Sequence, residues 1–302
     1  MTDDVSCGFS MMSYNVEGIV SKLRDTNFVS FTSNYDYVCL VETFVVSFTT
    51  TLFPSYTSFV APTKKKNSHP ERKSRGVIVL VKNALLRFVK QMEVNYDNVI
   101  VLELSKELLG SDANVFLVNS YPNPQNSPFY DVRYYDNGIT MLEQCLLGIV
   151  EKNEDASFIL CGDFNARTAN KVPTYFDFVS SCFDMTGRNF WLDGVKNNDP
   201  PFQRCSKDTH INVNGHDLLA LCSSFDLYIL NGTCERDISD QYTCISTSGN
   251  SVIDYFIFSR SLCSLSYKML VLERIDLKHM PITCSVRCQK WLTCLKEVDF
   301  PV

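Results

Sequence analysis

FILCGDFNA, at residues 158–166, is the stretch that decides the fold of this chain. Its first four residues form a continuous apolar run, which predicts a strand buried on both faces. Asp163 and Asn165 follow, and residues two apart in an extended backbone point to the same side. That pair suits work on a phosphate: the carboxylate orients a nucleophile or holds a metal, and the amide holds a phosphate oxygen. Gly162 would let a substrate or a neighbouring chain approach the backbone. The simpler alternative for the whole stretch is an Asp-Asn turn that closes the strand.

Apolar runs of the same kind lie along most of the chain. They predict about a dozen strands and few helices, which indicates two packed sheets with helices outside them. The predicted strands are at residues 9–16, 37–42, 56–61, 76–81, 99–104, 115–121, 158–161, 227–230, 242–245, 252–258, 268–272 and 281–286. Apolar residues at helical spacing predict helices within 18–33, 128–152 and 216–224. Ser127 and Pro128 would be the N-cap and the first helical position of the second. Residues 167–212 are polar and irregular, and we expect a long surface excursion there.

The composition is that of an ordinary globular protein. Of the 302 residues, 45% are hydrophobic and 21% charged, and no internal repeat divides them. We expect one domain over residues 1–288, followed by a short tail at 289–302. An acidic N-terminus is unlike a signal peptide, and no apolar window is long enough to span a membrane. Thirteen cysteines, most of them in apolar runs, indicate reduced thiols. We therefore expect a protein of the nucleus or cytoplasm that is neither secreted nor bound to a membrane.

The net charge of −6 argues against a protein that coats nucleic acid through bulk electrostatics. It does not argue against a nuclease, because carboxylates around a metal make such a site acidic. One basic stretch is a candidate for contact with DNA phosphates, although a solvated loop explains it equally well. Its residues are Lys64, Lys65, Lys66, Arg72, Lys73 and Arg75.

Several apolar strands end in or contain a polar residue that a core strand would not choose. Asp254 is the most informative of them, because apolar residues flank it on both faces of the strand SVIDYFIF. A buried carboxylate without a partner is costly, and His279 is a candidate partner. Singly, each residue has an ordinary structural explanation, but their joint order along the chain is hard to obtain by chance. The set is Asn15, Glu42, Tyr121, Asp163 with Asn165, Asp254 and His279.

The strings YNVEG, CLVET, GDFNARTA, SVIDYFIF and HMPI, in this order, resemble the endonuclease/exonuclease/phosphatase family. Within the family, NVEGIVSKL, VCLVETF, RGVIVLVK and CGDFNART are most similar to the endonuclease domains of non-LTR (LINE-like) retrotransposons. The resemblance covers roughly residues 10–287. It implies an α/β fold like that of pancreatic deoxyribonuclease, a four-layer sandwich of two packed, mostly antiparallel β-sheets flanked by helices. The site would lie at one edge, between the sheets.

The resemblance also implies a role for each residue of the set. A divalent metal, normally Mg²⁺ with Mn²⁺ as a substitute, would be held by Glu42 with help from Asn15 and Glu17. Asp163 would orient the attacking water, and His279 would contact the phosphate. The remaining residues would stabilise charge or support the site: Asn165 and Tyr121 at the phosphate, Asp254 beneath it, and Thr243 and Ser251 beside Asp254. The implied partner is DNA, and the implied setting is a longer polyprotein with a reverse transcriptase.

Two departures from the family pattern stand out. Relatives have Ser-Asp-His where this chain has Leu277, Lys278 and His279. If that Asp accepts a hydrogen bond from the imidazole, Lys278 cannot replace it, and its charge disfavours imidazolium. Loss of the orienting Asp of a Ser-His-Asp triad costs about 10⁴ in rate, so we expect activity reduced by about 10² to 10⁴. The second departure is Arg75 before Gly76, where relatives have Gly-Gly.

Three hypotheses follow. The first is a metal-dependent endonuclease that nicks DNA and leaves a 3′ hydroxyl, with activity weakened at Lys278. The second is a catalytically dead descendant that binds nucleic acid or protein. The third is a phosphatase acting on small phosphoesters such as phosphoinositides.

Overall fold

The computed structural model describes residues 8–61, 76–124, 127, 138–172, 204–233, 241–273 and 278–288. The basic stretch at 64–75 and the proposed tail at 289–302 lie outside these ranges, so contact with DNA and the domain boundary stay predictions. None of the helices in the described ranges is long and apolar enough to cross a membrane.

Two six-stranded sheets form the centre of the molecule. The spatial order in the first sheet is β13 (Ser266–Val271), β14 (Ile282–Arg287), β1 (Gly8–Asn15), β2 (Tyr37–Val41), β4 (Val77–Lys82) and β3 (Tyr56–Ala61). In the second sheet it is β5 (Val89–Met92), β6 (Val99–Leu104), β7 (Val115–Ser120), β8 (Ser157–Asp163), β12 (Asp254–Ser259) and β9 (Leu227–Ile229). A hairpin of β10 (Cys244–Ser246) and β11 (Gly249–Ser251) stands apart from both.

Four helices lie on the outer faces of the sheets: α1 (Ile19–Lys22), α2 (Thr26–Thr32), α4 (Gly138–Val150) and α5 (Val213–Ser224). The short helix α3 (Lys106–Leu109) and the 3₁₀ helices at Asn83–Phe88 and Arg260–Leu265 instead add buried side chains to the core between the sheets. The stripe predicted for α4 is buried, and its members are Ile139, Leu142, Leu146 and Ile149. The predicted helix within 18–33 is divided in two, because Asp25 caps a new helix by accepting from the backbone N–H of Asn27.

Three apolar clusters separate the four layers. One lies between the sheets, where side chains of β1, β2 and β4 meet those of β6, β7, β8 and β12. The second packs α4 and α5 on the outer face of the second sheet. The third packs α1 and α2 on the outer face of the first sheet. A strand covered on both faces needs apolar residues at every position, which is why β2, β4 and β8 are continuous apolar runs.

The topology brings four strand ends to one edge. β1 and β2 are parallel, as are β7 and β8, so their carboxyl ends meet there. β12 runs antiparallel to β8, and its first residue, Asp254, pairs with the last residue of β8, Asp163. Asn119 of β7 crosses the interior, where its side-chain amide lies 3.4 Å from the carbonyl oxygens of Leu40 and Ile78. Both sheets are therefore tied together close to this edge.

Most predicted elements are confirmed, with ends shifted by up to three residues. The start predicted at Pro128 for the helix that ends near Lys152 lies outside the described residues. The elements that the sequence did not indicate are short: β5, β11, α3 and the two 3₁₀ helices. Most described residues of the surface excursion expected at 167–212 are exposed or half-buried, but some are anchored in the interior. Thr168 and Arg204 are both buried, because the Arg204 guanidinium donates to the Thr168 hydroxyl and to the carbonyl oxygen of Asn231. Residues 173–203 lie outside the described ranges.

Candidate active site

The polar residues that the sequence singled out meet at the edge where the strands end. Asn15 ends β1 and Glu42 follows β2, while Tyr121 follows β7 and Asp163 ends β8. Gly162 explains how β8 comes so close to its neighbour. It has a φ of 137°, and a Cβ there would lie 1.9 Å from the carbonyl oxygen of Ser120. The neighbouring chain, β7, is thus what approaches this glycine.

Asp163 is the buried centre of the site. One carboxylate oxygen accepts from the backbone N–H of Asn165 at 2.8 Å, and the other accepts from the side-chain amide of Asn15 at 3.0 Å. The second oxygen also lies 3.9 Å from Nε2 of His279. Burial raises the pKa of Asp163, and the negative charge of Asp254 raises it further, to about 7. Asn15 joins the two sheets here, since it reaches from the first sheet to Asp163 of the second.

His279 and Asp254 form a buried pair. Nδ1 of His279 lies 3.0 and 3.2 Å from the two carboxylate oxygens of Asp254. Burial by itself would lower the pKa of His279, but the charge and hydrogen bond of Asp254 outweigh it and raise the pKa well above its usual range. The imidazole is therefore cationic at neutral pH, with Nδ1 donating to Asp254 and Nε2 facing Asn15 and Asp163.

This pair corrects the expectation about Lys278. We expected the residue before His279 to supply the acceptor for the imidazole, so that lysine would leave the ring without one. The acceptor is Asp254 on β12, as the sequence pattern of that strand indicated. Lys278 instead points away from His279, and its ammonium lies 3.5 Å from a carboxylate oxygen of Glu17. The physical reason given for a weakened enzyme is wrong.

Tyr121 and Glu42 are hydrogen-bonded across the two sheets. The Tyr121 hydroxyl donates to Oε1 of Glu42. Burial, followed by the charges of Glu42 and Asp163, raises the pKa of Tyr121 far above its usual value, so the phenol keeps its proton. Asn165 lies beside this pair with a φ of 50°, and its amide donates to the carbonyl oxygen of Pro122 at 3.0 Å.

Thr243 and Ser251 support Asp254 in different ways. The Thr243 hydroxyl oxygen accepts from the backbone N–H groups of Ile253 and Asp254, both at 3.0 Å. Ser251 acts through its backbone, since its carbonyl oxygen accepts from the N–H of Thr243. The backbone N–H of Met280 donates to the carbonyl oxygen of Thr243 at 2.7 Å. Thr243 therefore fixes Asp254 and the chain beside His279 at the same time.

Residues 12–283 match the model of the Endonuclease/Exonuclease/phosphatase family. The match spans nearly the whole chain and includes each of the site residues just described. The chain belongs to this family. A comparison with curated protein sequences gives no match.

Solved structures of similar fold include nucleases and a retrotransposon domain. An AP endonuclease from Leishmania major has a TM-score of 0.63 at 15% identity, covering 93% of this chain and 88% of its own. The catalytic domain of Xenopus laevis APE2 has a TM-score of 0.61 at 13% identity, covering 93% and 92%. The endonuclease domain of TRAS1, a telomere-specific non-LTR retrotransposon, has a TM-score of 0.56 at 14% identity, covering 94% and 100%. At these identities the likeness shows the fold, the two mixed sheets with flanking helices expected from the sequence.

Nucleases of the endonuclease/exonuclease/phosphatase family generally use divalent metals, and the oxygen donors of this site fit one. Glu42 holds Tyr121 through one oxygen, yet a carboxylate has about four lone-pair sites, so it can also bind a cation. The backbone that carries Asn15 and Glu17 runs beside the backbone that carries Glu42, because the N–H groups of Val16 and Gly18 donate to the carbonyl oxygens of Val41 and Glu42. Carboxylate and amide oxygens are the ligands that Mg²⁺ takes.

A second group of possible ligands fits a metal less well. Asp163, Asp254 and His279 each have a ligand atom within 4.8 Å of the others. A protonated imidazole has no lone pair to give, and Nδ1 of His279 already faces Asp254. In this endonuclease/exonuclease/phosphatase chain His279 is instead hydrogen-bonded to Asp254, and Asp163 lies 3.9 Å from its other ring nitrogen.

Two supporting contacts were not indicated by the sequence. Arg167 donates twice to Asp208, which also accepts from the backbone N–H of Val252 and so ties the GDFNAR turn to the approach to β12. Asn231 donates to the carbonyl oxygen of Asp254 and accepts from the N–H of Phe256. Asp208 lies in a polar, irregular stretch where no periodicity marks a buried position. The position of Arg167 directly after GDFNA was the available signal.

Proposed function

We propose that this chain is a metal-dependent endonuclease that hydrolyses a phosphodiester bond of DNA, in the manner of a retrotransposon endonuclease, and leaves a 3′ hydroxyl. The observation that carries the proposal is the buried carboxylate of Asp163. It is held by Asn15 from the opposite sheet and lies 3.9 Å from the cationic ring of His279. A base and a cation side by side are the two groups that attack on a phosphate diester needs.

Asp163 would orient the attacking water and accept its proton. The oxygen of the water then bonds to phosphorus as the bond between phosphorus and O3′ breaks, and O3′ takes a proton from solvent water to leave as the 3′ hydroxyl. The raised pKa of Asp163, about 7, suits a base that works near neutral pH. The hydrogen bonds from Asn15 and from the backbone of Asn165 hold the carboxylate in one orientation.

Donors on three different elements would stabilise the charge that develops on the phosphate. His279 contributes a cationic N–H, which Asp254 keeps protonated and aimed. Tyr121 and Asn165 follow β7 and β8, whose ends are hydrogen-bonded neighbours, so their hydroxyl and amide lie close together. Donors that are fixed in advance around a reacting centre commonly contribute more to catalysis than any other single effect.

Glu42, Asn15 and Glu17 would hold the metal. Mg²⁺, or Mn²⁺ in its place, would supply positive charge at the phosphate when bound. The Tyr121 hydroxyl, which donates to Glu42, would link this metal ligand to the groups around the phosphate.

DNA as the substrate is supported by family membership and by the names of the similar structures. TRAS1 is described as a telomere-specific retrotransposon, which supports nicking of intact duplex and a place in a polyprotein with a reverse transcriptase. The Leishmania protein is described as an AP endonuclease, so duplex with an abasic site is the competing substrate. Inositol phosphates represent the phosphatase alternative.

Nicking of supercoiled plasmid in Mg²⁺ tests the proposal, with abasic duplex and inositol phosphates as parallel substrates. We expect the natural chain to nick plasmid and Asp163→Asn to lose about 10² to 10⁴ in rate, the usual contribution of a general base. Asp226→Asn is the matched control, because Asp226 is an exposed carboxylate paired with Arg260 away from the site. Hydrolysis of inositol phosphates without nicking would replace the proposal with the phosphatase alternative, and a chain that cuts none of the three substrates would overturn it.

A further inference from the structure

Lys278 lies at the rim of the candidate active site and is held there by its backbone. The N–H of Ile245 donates to its carbonyl oxygen at 2.8 Å, and the next residue, His279, bridges to Cys244 of the hairpin. Because His279 points inward to Asp254, the side chain of Lys278 points outward, with 62% of its surface exposed. Its position is therefore a fixed property of the fold.

Glu17 is the partner of Lys278. One Glu17 carboxylate oxygen lies 3.5 Å from the Lys278 ammonium, and the other lies 3.5 Å from its backbone nitrogen. Glu17 is itself held tightly: its backbone N–H donates to Asn15, and its φ of 42° is unusual for a residue other than glycine. At 24% exposure, its carboxylate is close enough to the interior for a neighbouring charge to matter.

The ion pair occupies a carboxylate that the proposed metal site would otherwise use. Gly18, the next residue, donates to the carbonyl oxygen of Glu42, so the loops carrying Glu17 and Glu42 lie against each other. A divalent cation bound at Glu42 and Asn15 would be attracted by the Glu17 carboxylate, which is already paired with the Lys278 ammonium. The single charge of Glu17 cannot serve both cations fully, so the part of its attraction that Lys278 takes is lost to the metal.

We propose that Lys278 competes with the divalent metal for Glu17 and thereby weakens metal binding at Glu42 and Asn15. Lys278 is a positioning residue in this account: it sets how many carboxylates the metal receives. The inference rests on the proposed metal site, and it replaces the idea that Lys278 acts through His279.

Titration of the full chain with Mg²⁺ in the absence of DNA, followed by calorimetry, measures the effect directly. Lys278→Gln should tighten Mg²⁺ binding about tenfold, the size expected for removing one unit charge near a divalent ion at a partly solvated site. Lys278→Arg keeps the cation and should bind Mg²⁺ like the natural chain. Lys278→Met provides a second neutral variant with a similar stem, and it should match Lys278→Gln.

Two controls separate competition at Glu17 from a general change of charge. Lys90→Gln removes the same charge from an exposed pair with Glu103 on β5 and β6, and should change Mg²⁺ affinity by less than about twofold. In a Glu17→Gln background, Lys278→Gln should have no further effect, because the contested carboxylate is gone.

The inference is overturned if Lys278→Gln binds Mg²⁺ no tighter than Lys90→Gln, or if its gain survives in the Glu17→Gln background. Plasmid nicking is measured on the same variants. A chain that shows the expected Mg²⁺ affinities but nicks no DNA refutes the proposed function and leaves the competition standing. A chain in which neither the natural form nor Lys278→Gln binds Mg²⁺ refutes the competition and the proposed metal site together.

Discussion

At the scale of single residues, the chemistry depends on which carboxylate faces His279. Asp254 is 25 positions away along the chain and on another strand, yet it is the group that keeps the imidazole charged. The sequence pattern of β12 was enough to predict a buried carboxylate and to suggest His279 as its partner. Alternation along an extended chain already places Lys278 and His279 on opposite faces. What the sequence could not show is the partner of Lys278, because Glu17 lies 261 positions away along the chain.

Replacing Asp254 with Asn should remove the anion that holds the proton on His279. We expect the pKa of His279 to fall and the nicking rate to drop by about 10² to 10⁴, by analogy with the loss of an orienting Asp from a Ser-His-Asp triad. NMR of the His279 ring across pH 6 to 9 gives the readout: the natural chain should show a constant, protonated ring, whereas the variant should titrate. A variant ring that stays protonated throughout would contradict the role assigned to Asp254.

The pH dependence of nicking should report Asp163. Its pKa is raised to about 7, so below that pH it is increasingly protonated and cannot accept the proton of water. At saturating Mg²⁺ the charge of the metal opposes the rise in the Asp163 pKa. We therefore expect the logarithm of the rate to fall with unit slope as the pH is lowered through a midpoint at or below about pH 7. Nicking rates of the natural chain from pH 5 to pH 9 measure this midpoint. A rate that stays constant down to pH 5 would show that Asp163 is not the base.

At the scale of secondary-structure elements, the contact between β7 and β8 positions the site. β8 has room only for a glycine at residue 162, because its backbone faces the carbonyl oxygen of Ser120. This contact places Tyr121 and Asp163 side by side at the ends of neighbouring strands. The sequence predicted close approach at Gly162, but a substrate and another strand were equally good explanations until the pairing was known.

Gly162→Ala should therefore destabilise the fold by about 2 to 4 kcal/mol, because the added Cβ meets a backbone atom and the φ of 137° is unfavourable for alanine. Chemical denaturation of the variant measures the free energy of unfolding. Gly148→Ala is the matched control: a Cβ at this α4 position meets nothing within 4 Å, and alanine in a helix should stabilise by about 0.5 to 1 kcal/mol. Equal effects at the two positions would show that the steric account of Gly162 is wrong.

At the scale of the whole molecule, two features account for how far the fold could be predicted. Buried strands are easy to recognise, since β2, β4 and β8 each contain a continuous apolar run. Their order in the sheets is not encoded in any local pattern, and the family resemblance supplied the four layers but no strand order. The hairpin of β10 and β11 was half missed, because Gly249–Ser251 has no apolar alternation and forms a strand only through its pairing with Cys244–Ser246.

Metal binding should stabilise the molecule as a whole, because the proposed ligands come from separate loops that meet only when it is folded. At Mg²⁺ a hundredfold above its dissociation constant, the free energy of unfolding should rise by about 2.7 kcal/mol. Thermal unfolding with Mg²⁺ and with chelator measures the difference. Glu42→Gln should abolish the response, while Asp226→Asn should keep it. If Mg²⁺ stabilised Glu42→Gln as much as the natural chain, the metal would have to bind at a site without Glu42.

The split of the site between the two halves of the chain has a practical consequence. Asn15, Glu42, Tyr121 and Asp163 precede residue 173, whereas Thr243, Asp254 and His279 follow residue 203. Both sheets cross that divide, because β1 pairs with β14 and β8 pairs with β12. A chain cut between these positions would give two fragments, each with part of both sheets and neither with the full set of groups for hydrolysis. Such fragments suit complementation, with DNA nicking as the signal that the two halves have met.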